Sequence, residues 1–186
     1  MTESDAVAGN PPGDADPPAP QARRPAKADP SRHLIVYIDG ACSGNPGPCG
    51  CAAIIQTDDG ETILERARAF GPATNNVAEY QALLLGLEAA AQLKPSRLTI
   101  RSDSELLVRQ IAGQYRIKAP HLKALHRQAM RMLEPFGQVE IEHISRTLNK
   151  EADALARKAL EKARTVDASI PPEARKKPQP KTFRLK

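Results

Sequence analysis

Leu34-Ile35-Val36-Tyr37-Ile38-Asp39-Gly40 decides the fold: five apolar residues run unbroken into a carboxylate and a glycine. An apolar run of this length reads as a strand buried on both faces, as in the parallel part of an α/β sheet. Asp39 then opens Gly40-Ala41-Cys42-Ser43-Gly44-Asn45-Pro46-Gly47-Pro48, which reads as a glycine-rich turn. A carboxylate on a strand beside such a turn is well placed to meet a metal and a polyanion.

The elements on either side follow from periodicity and punctuation. Residues 51–57 read as a second strand, and Asp58-Asp59-Gly60 as a hairpin turn. Residues 61–70 return as a third strand, although Arg66 and Arg68 alternating with alanine also fit a helix. Gly71-Pro72-Ala73 breaks the chain, and Thr74, Asn75 or Asn76 offers an N-cap for a helix over 77–93. Leu83, Leu84, Leu87, Ala90 and Ala91 recur along it at helical spacing, and Pro95 ends it. Residues 97–102 form a strand with Asp103 at its end, and Ser104 caps a short helix stopped at Gly113. Pro120 opens a helix to Leu133, residues 139–144 form the last strand, and Asn149 caps a helix over 150–163. The order βββαβααβα predicts an α/β fold with a mixed five-stranded sheet and helices on its faces. Its parallel part would be the strands near Val36, Ile100 and Glu142.

Composition bounds the foldable part. Residues 1–31 are proline-rich and acidic, and residues 165–186 are basic and proline-containing, so neither can bury enough apolar surface to offset chain entropy. Both are expected to be disordered, leaving residues 32–164 as one domain. The chain carries a net charge of +5, most of it from the tail, which suits a polyanionic partner. Cys42, Cys49 and Cys51 cluster within ten residues, a poor disulfide framework, and no histidine completes a zinc site. They read as small buried residues in a reducing compartment. No apolar stretch reaches membrane-spanning length and no secretory signal opens the chain, so a cytoplasmic monomer with no membrane contact is expected.

Asp39, Glu79, Asp103 and Asp153 are the candidate functional residues. Asp39 and Asp103 lie at the ends of strands expected to neighbour each other. Glu79 and Asp153 are expected in the first turns of their helices, where the helix N-terminus favours an anion. Four converging carboxylates repel one another unless cations hold them. Oxygen donors without a Cys/His set select Mg²⁺ or Mn²⁺. Each acid alone is also explained as a turn or cap residue; the weight lies in the four together.

The chain resembles type 1 ribonuclease H over nearly all of residues 33–163. The resemblance rests on Tyr37-Ile38-Asp39-Gly40-Ala41-Cys42, Gly44-Asn45-Pro46-Gly47-Pro48, Thr74-Asn75-Asn76-Val77-Ala78-Glu79, Ser102-Asp103-Ser104 and Asn149-Lys150-Glu151-Ala152-Asp153-Ala154-Leu155-Ala156, in this order. It implies a ribonuclease H-like fold and a nuclease that hydrolyses the RNA strand of RNA/DNA hybrids with two Mg²⁺ ions, or Mn²⁺ in their place, leaving 5′-phosphate and 3′-hydroxyl ends. It implies Asp39, Glu79, Asp103 and Asp153 as catalytic metal ligands. It implies Gly44, Asn45, Asn75 and Asn76 as contacts to the nucleic acid and Thr74 as a contact to a DNA phosphate. Helix capping is the alternative for the last three.

The chain departs from the family in three respects. Many members carry a catalytic histidine in a loop before the last acid. His143 has that spacing but lies within a strand pattern and is read as structural; the chain more resembles a subgroup lacking the histidine, which implies Arg146 as an auxiliary residue near the scissile phosphate. There is no tryptophan and no long basic insertion after Ser104, which points to a minimal enzyme, with Lys118, Lys123, Arg127 and the tail as partial substitutes. No hybrid-binding domain is recognisable near the N-terminus. The alternatives are a non-catalytic nucleic-acid-binding module on the same fold, and a nuclease that also accepts double-stranded RNA or RNA–DNA junctions.

Overall fold

The computed structural model describes residues 32–169, and the side chains of residues 32–162. The expectation of disorder for residues 1–31, and for all but the start of 165–186, lies outside the described residues. The elements run β1 (His33–Cys42), β2 (Gly47–Thr57), β3 (Thr62–Ala73), α1 (Asn75–Leu93), β4 (Arg97–Ser102), α2 (Glu105–Ile111), α3 (Pro120–Leu133), β5 (Gln138–His143), a 3₁₀ turn (Arg146–Leu148) and α4 (Lys150–Ser169).

One five-stranded sheet has the order β3-β2-β1-β4-β5, with β1–β2 and β2–β3 antiparallel and β1–β4 and β4–β5 parallel. This is the mixed sheet expected from the element order. Residues 62–73 are strand, which settles the strand-or-helix alternative for this stretch. Alternation divides the sheet residues between two cores. Leu34, Val36, Ile38, Cys51, Ala53, Ile55, Leu98 and Ile100 share one core with the buried residues of α1. Ala52 and Ile54 are also buried, and α4 lies over this side of β1, β2 and β3 with Ala152, Ala156 and Leu160 inward. Helix α1 is buried on most sides because it lies between the sheet and α3, so its apolar residues spread beyond a single stripe. Full burial of a leucine such as Leu83 or Leu87 stabilises by about 1.5–3 kcal/mol.

Several boundaries differ from expectation. Gly40-Ala41-Cys42 is strand, because these residues pair with Cys51, Gly50 and Cys49 and leave only 43–46 as the turn. Gly71-Pro72-Ala73 likewise stays in β3, where Ala73 pairs with Gly47. Helix α1 begins at Asn75, capped by the Thr74 hydroxyl, which accepts from the Val77 N–H at 3.4 Å. Helix α4 runs on to Ser169, beyond the expected end near residue 163. Cys42 and Cys49 are joined by a disulfide, correcting the reading of three unpaired cysteines. They lie opposite each other at the end of the β1–β2 ladder, a pairing made by the turn and invisible in linear spacing. Cys51 remains free and buried, and burial pushes its thiol up to about 11, so it is inert.

Two glycines set how closely the helices approach. A methyl group on Gly40 would lie 2.3 Å from the Ala78 carbonyl carbon and 2.5 Å from the Glu79 nitrogen. One on Gly50 would lie 2.2 Å from the Ala156 carbonyl oxygen. Both obstacles are helix backbone and have no rotamer to change. Gly40→Ala is therefore expected to destabilise by at least about 3 kcal/mol, the upper end for overpacking. Gly71→Ala, whose methyl would meet nothing within 4 Å, should change stability little. Urea unfolding of both variants checks this, and equal midpoints would refute the close-packing argument.

Candidate active site

Parallel pairing of β1 with β4 places Ile38 beside Ser102, so the next residues, Asp39 and Asp103, emerge at neighbouring positions. Contact of α1 with Gly40 brings Glu79 to the same point. Contact of α4 with Gly50 brings Asp153 from the other face of the sheet. All four acids line one cleft of about 490 Å³, together with Gly40–Ser43, Asn75, Arg146, Arg157, Leu160 and Glu161.

The electrostatics of this cleft are unfavourable to charge. Asp39 is 4% exposed, and burial, then Asp103 and Asp153, push its carboxyl up to about 7. Asp103 also shares a side-chain hydrogen bond with it, while Arg146 pulls the other way. Glu79 is held well above the ordinary range by burial and then by Asp39 and Asp103. Its Oε2 is buried without a hydrogen-bond partner. Glu79 lies in the second turn of α1, not the first as expected, because the helix starts two residues earlier. The helix N-terminal field has faded there, and the Gly40 N–H donates to the carboxylate instead. Asp153 is in the first turn of α4, as expected.

These donors suit a hard divalent cation. The set is oxygen-only, one buried oxygen lacks a partner, and ionisation of Asp39 and Glu79 is costly without positive charge. Among the described residues, no three His, Cys, Asp or Glu side chains are already gathered as a closed cage. The carboxylates line a shared open cleft, and two of them are engaged by neighbouring side chains.

Two such neighbours, Asn149 and Arg157, were not among the site residues expected from the sequence. Asn149 is 1% exposed and its Nδ2 donates to the Ile38 carbonyl at 2.9 Å and to Asp103 Oδ1 at 2.8 Å. It thus ties β1, the end of β4 and the start of α4 together. This corrects its reading as a simple cap: its carbonyl accepts from the Asp153 N–H, but its Oδ1 is buried without a partner. Arg157 donates from Nε to Asp153 Oδ2 at 2.9 Å, while Arg146 donates to Asp153 Oδ1 at 3.1 Å. The i,i+4 spacing of Asp153 and Arg157 was legible once the helix was drawn; the Asn149 contacts span the whole fold and were not.

The remaining expected residues gather at the same end of the sheet. The Asn75 N–H donates to Asn45 Oδ1 at 3.2 Å, joining the 43–46 turn to the start of α1. Gly44 and Asn45 lie in that turn, and Thr74, Asn75 and Asn76 at the N-terminus of α1. Arg146 lines the cleft, whereas His143 ends β5, exposed and outside the cleft lining.

Comparison with known proteins accords with this geometry. The family model described as reverse transcriptase-like matches residues 37–159. The chain is 39% identical over 131 residues to the bifunctional protein Rv2228c of Mycobacterium tuberculosis, covering 70% of this chain and 36% of that protein. It is 39% identical over 128 residues to ribonuclease HI of Halobacterium salinarum, covering 69% and 64%. It thus spans about a third of the first relative and under two thirds of the second. Among solved structures, the N-terminal RNase H domain of Rv2228c superposes with a TM-score of 0.71 at 36% identity, covering 74% of this chain and 99% of that one. LC11-RNase H1, solved in complex with an RNA/DNA hybrid, gives 0.67 at 36% identity, covering 70% and 98%.

Two substitutions should move stability in opposite directions. Between its ordinary 3.8 and about 7, Asp39 keeps in the folded protein a proton that the unfolded chain has lost. Stability therefore falls as pH rises through that window. In EDTA, Asp39→Asn should flatten this slope and raise the melting temperature at pH 7 by about 2 °C or more. Thermal unfolding of both proteins across the window checks it, and parallel curves would count against it. Asn149→Ala should cost about 1–3 kcal/mol, because a buried carbonyl loses its donor; urea unfolding gives the value.

Proposed function

The chain belongs to the type 1 ribonuclease H family, and on that premise we propose that it is an endonuclease hydrolysing the RNA strand of RNA/DNA hybrids, leaving 5′-phosphate and 3′-hydroxyl ends. The observation that carries the proposal is the convergence of Asp39, Glu79, Asp103 and Asp153 on one cleft from β1, α1, the residue after β4 and α4. Residues 32–164 are proposed as the active unit.

Asp39, Glu79, Asp103 and Asp153 would hold two divalent ions, Mg²⁺ or Mn²⁺. Bound there, such ions supply Lewis-acid activation of water and stabilise the leaving oxygen. The protein's own part is positioning. Asp39, central and most buried of the four, faces all the others. Asn149 fixes the carboxylate of Asp103. The braced pair of the 43–46 turn and the α1 N-terminus presents Gly44, Asn45, Asn75 and Asn76 toward an incoming minor groove, where 2′-hydroxyls distinguish RNA from DNA. Thr74, at the same helix end, is proposed to meet a DNA phosphate. Arg146 projects from the 3₁₀ turn into the cleft, a position suited to a phosphate oxygen. His143, outside the cleft, is assigned no chemical role.

We place the protein in the cytoplasm as a monomer. Its exposed large apolar side chains among the described residues are Leu106, Tyr115, Met130 and Leu148, and single exposed apolar residues are ordinary on a monomer's surface. No described helix is long and apolar enough to cross a membrane.

The test is cleavage of labelled RNA/DNA hybrid, single-stranded RNA and double-stranded RNA in Mg²⁺, Mn²⁺ or EDTA. The expected result is hybrid-selective, metal-dependent cutting. Asp103→Asn should lose more than about a hundredfold in rate, above the 10–100-fold typical of losing a partner of a metal ligand. Hybrid binding without cleavage in either metal would replace the enzyme by a binding module. Equal cutting of double-stranded RNA would broaden the substrate class.

A further inference from the structure

Both oxygens of Asp153 are occupied by guanidinium groups, and one belongs to its own helix. Arg157 holds Oδ2 at 2.9 Å and Arg146 holds Oδ1 at 3.1 Å. Arg146 comes from the 3₁₀ turn, whereas Arg157 is carried by α4 itself, one turn beyond Asp153. An acid four residues N-terminal to a base is the favoured order for such a pair. One further turn along the same face, Glu161 also lines the cleft. Asp153, Arg157 and Glu161 therefore form an acid–base–acid row at i, i+4 and i+8, the spacing at which side chains on one helix face are neighbours.

We propose that Arg157 is a specificity-determining residue for cation loading: it competes with the divalent ion for Asp153 and turns to Glu161 when the ion takes that carboxylate. This rests on the reading of Asp153 as a metal ligand. A divalent ion gains Oδ2 only by exchange with the guanidinium. Glu161 lowers the cost of that exchange by offering the displaced cation a second carboxylate at the same helical spacing. The row weakens the ion's hold on Asp153 while keeping the acid paired in its absence.

The experiment is calorimetric titration of Mn²⁺ into the nucleic-acid-free 186-residue protein, four single variants and two double variants. Asp153→Asn should weaken Mn²⁺ binding, and Arg157→Met should tighten it about two- to fivefold, the range of an exposed ion pair. Lys158→Met removes the same charge from an exposed neighbouring position and is expected to change affinity less than twofold. Added to Asp153→Asn, Arg157→Met should have no further effect. If Arg157→Met and Lys158→Met shift binding equally, the competition is overturned while the ligand assignment stands. If Asp153→Asn leaves Mn²⁺ binding unchanged, the ligand assignment itself fails and the inference with it. Glu161→Gln should weaken binding more with Arg157 present than with Met at that position; equal effects would remove Glu161 from the exchange.

Discussion

The structure depends on two places where a helix backbone rests directly on a strand backbone. Gly40 of β1 receives α1 at Ala78–Glu79, and Gly50 of β2 receives α4 at Ala156–Leu160. They lie on neighbouring antiparallel strands, Gly50 paired with Ala41, so the two helices press on almost the same point from opposite faces of the sheet. A side chain at either position would hold its helix away by the width of a methyl group. Glu79 and Asp153 would then stand off from Asp39. The absence of two β-carbons is what allows four elements to share one cleft.

That convergence sets the electrostatic problem that the surrounding residues manage. Burial and like charge favour protons on Asp39 and Glu79, a cost to any ionised site. The fold offsets it locally. The Gly40 N–H donates to Glu79, Asn149 donates to Asp103, and Arg146 and Arg157 hold Asp153. The glycine that permits close approach thus also supplies a hydrogen bond to the acid it admits. Asn149 plays the matching part on the other face, linking the carbonyl before Asp39 to the carboxylate of Asp103. The compensation is partial, since Oε2 of Glu79 stays unpartnered. A carboxylate fully satisfied by the protein would have little left to offer an ion.

Much of this was legible in linear order, and the errors have physical causes. The strand ending in Asp39 and the strand before Asp103 announced themselves by apolar runs, and their parallel adjacency followed from the intervening helix. Thr74 was among three candidate caps, and its hydroxyl took the role. Glu79 was placed one turn too early because a cap three residues ahead of the first apolar residue shifts the helix start. The Cys42–Cys49 disulfide was missed because composition counts cysteines, while pairing depends on which strand faces which. Asn149 looked like a cap because asparagine before a helix usually is one. Its actual partners, Ile38 and Asp103, are 111 and 46 residues away.

By itself the sequence determined the element order, the sheet class and the identity of the four acids, because periodicity, turn chemistry and motif context are local properties. Tertiary structure alone decided their electrical state and their neighbours: which oxygen is buried without a partner, which arginines hold Asp153, and which amide holds Asp103. Those depend on distances between residues remote in the chain. Such distances are set by how closely helices can approach at Gly40 and Gly50, and they arise only when the sheet has formed between them.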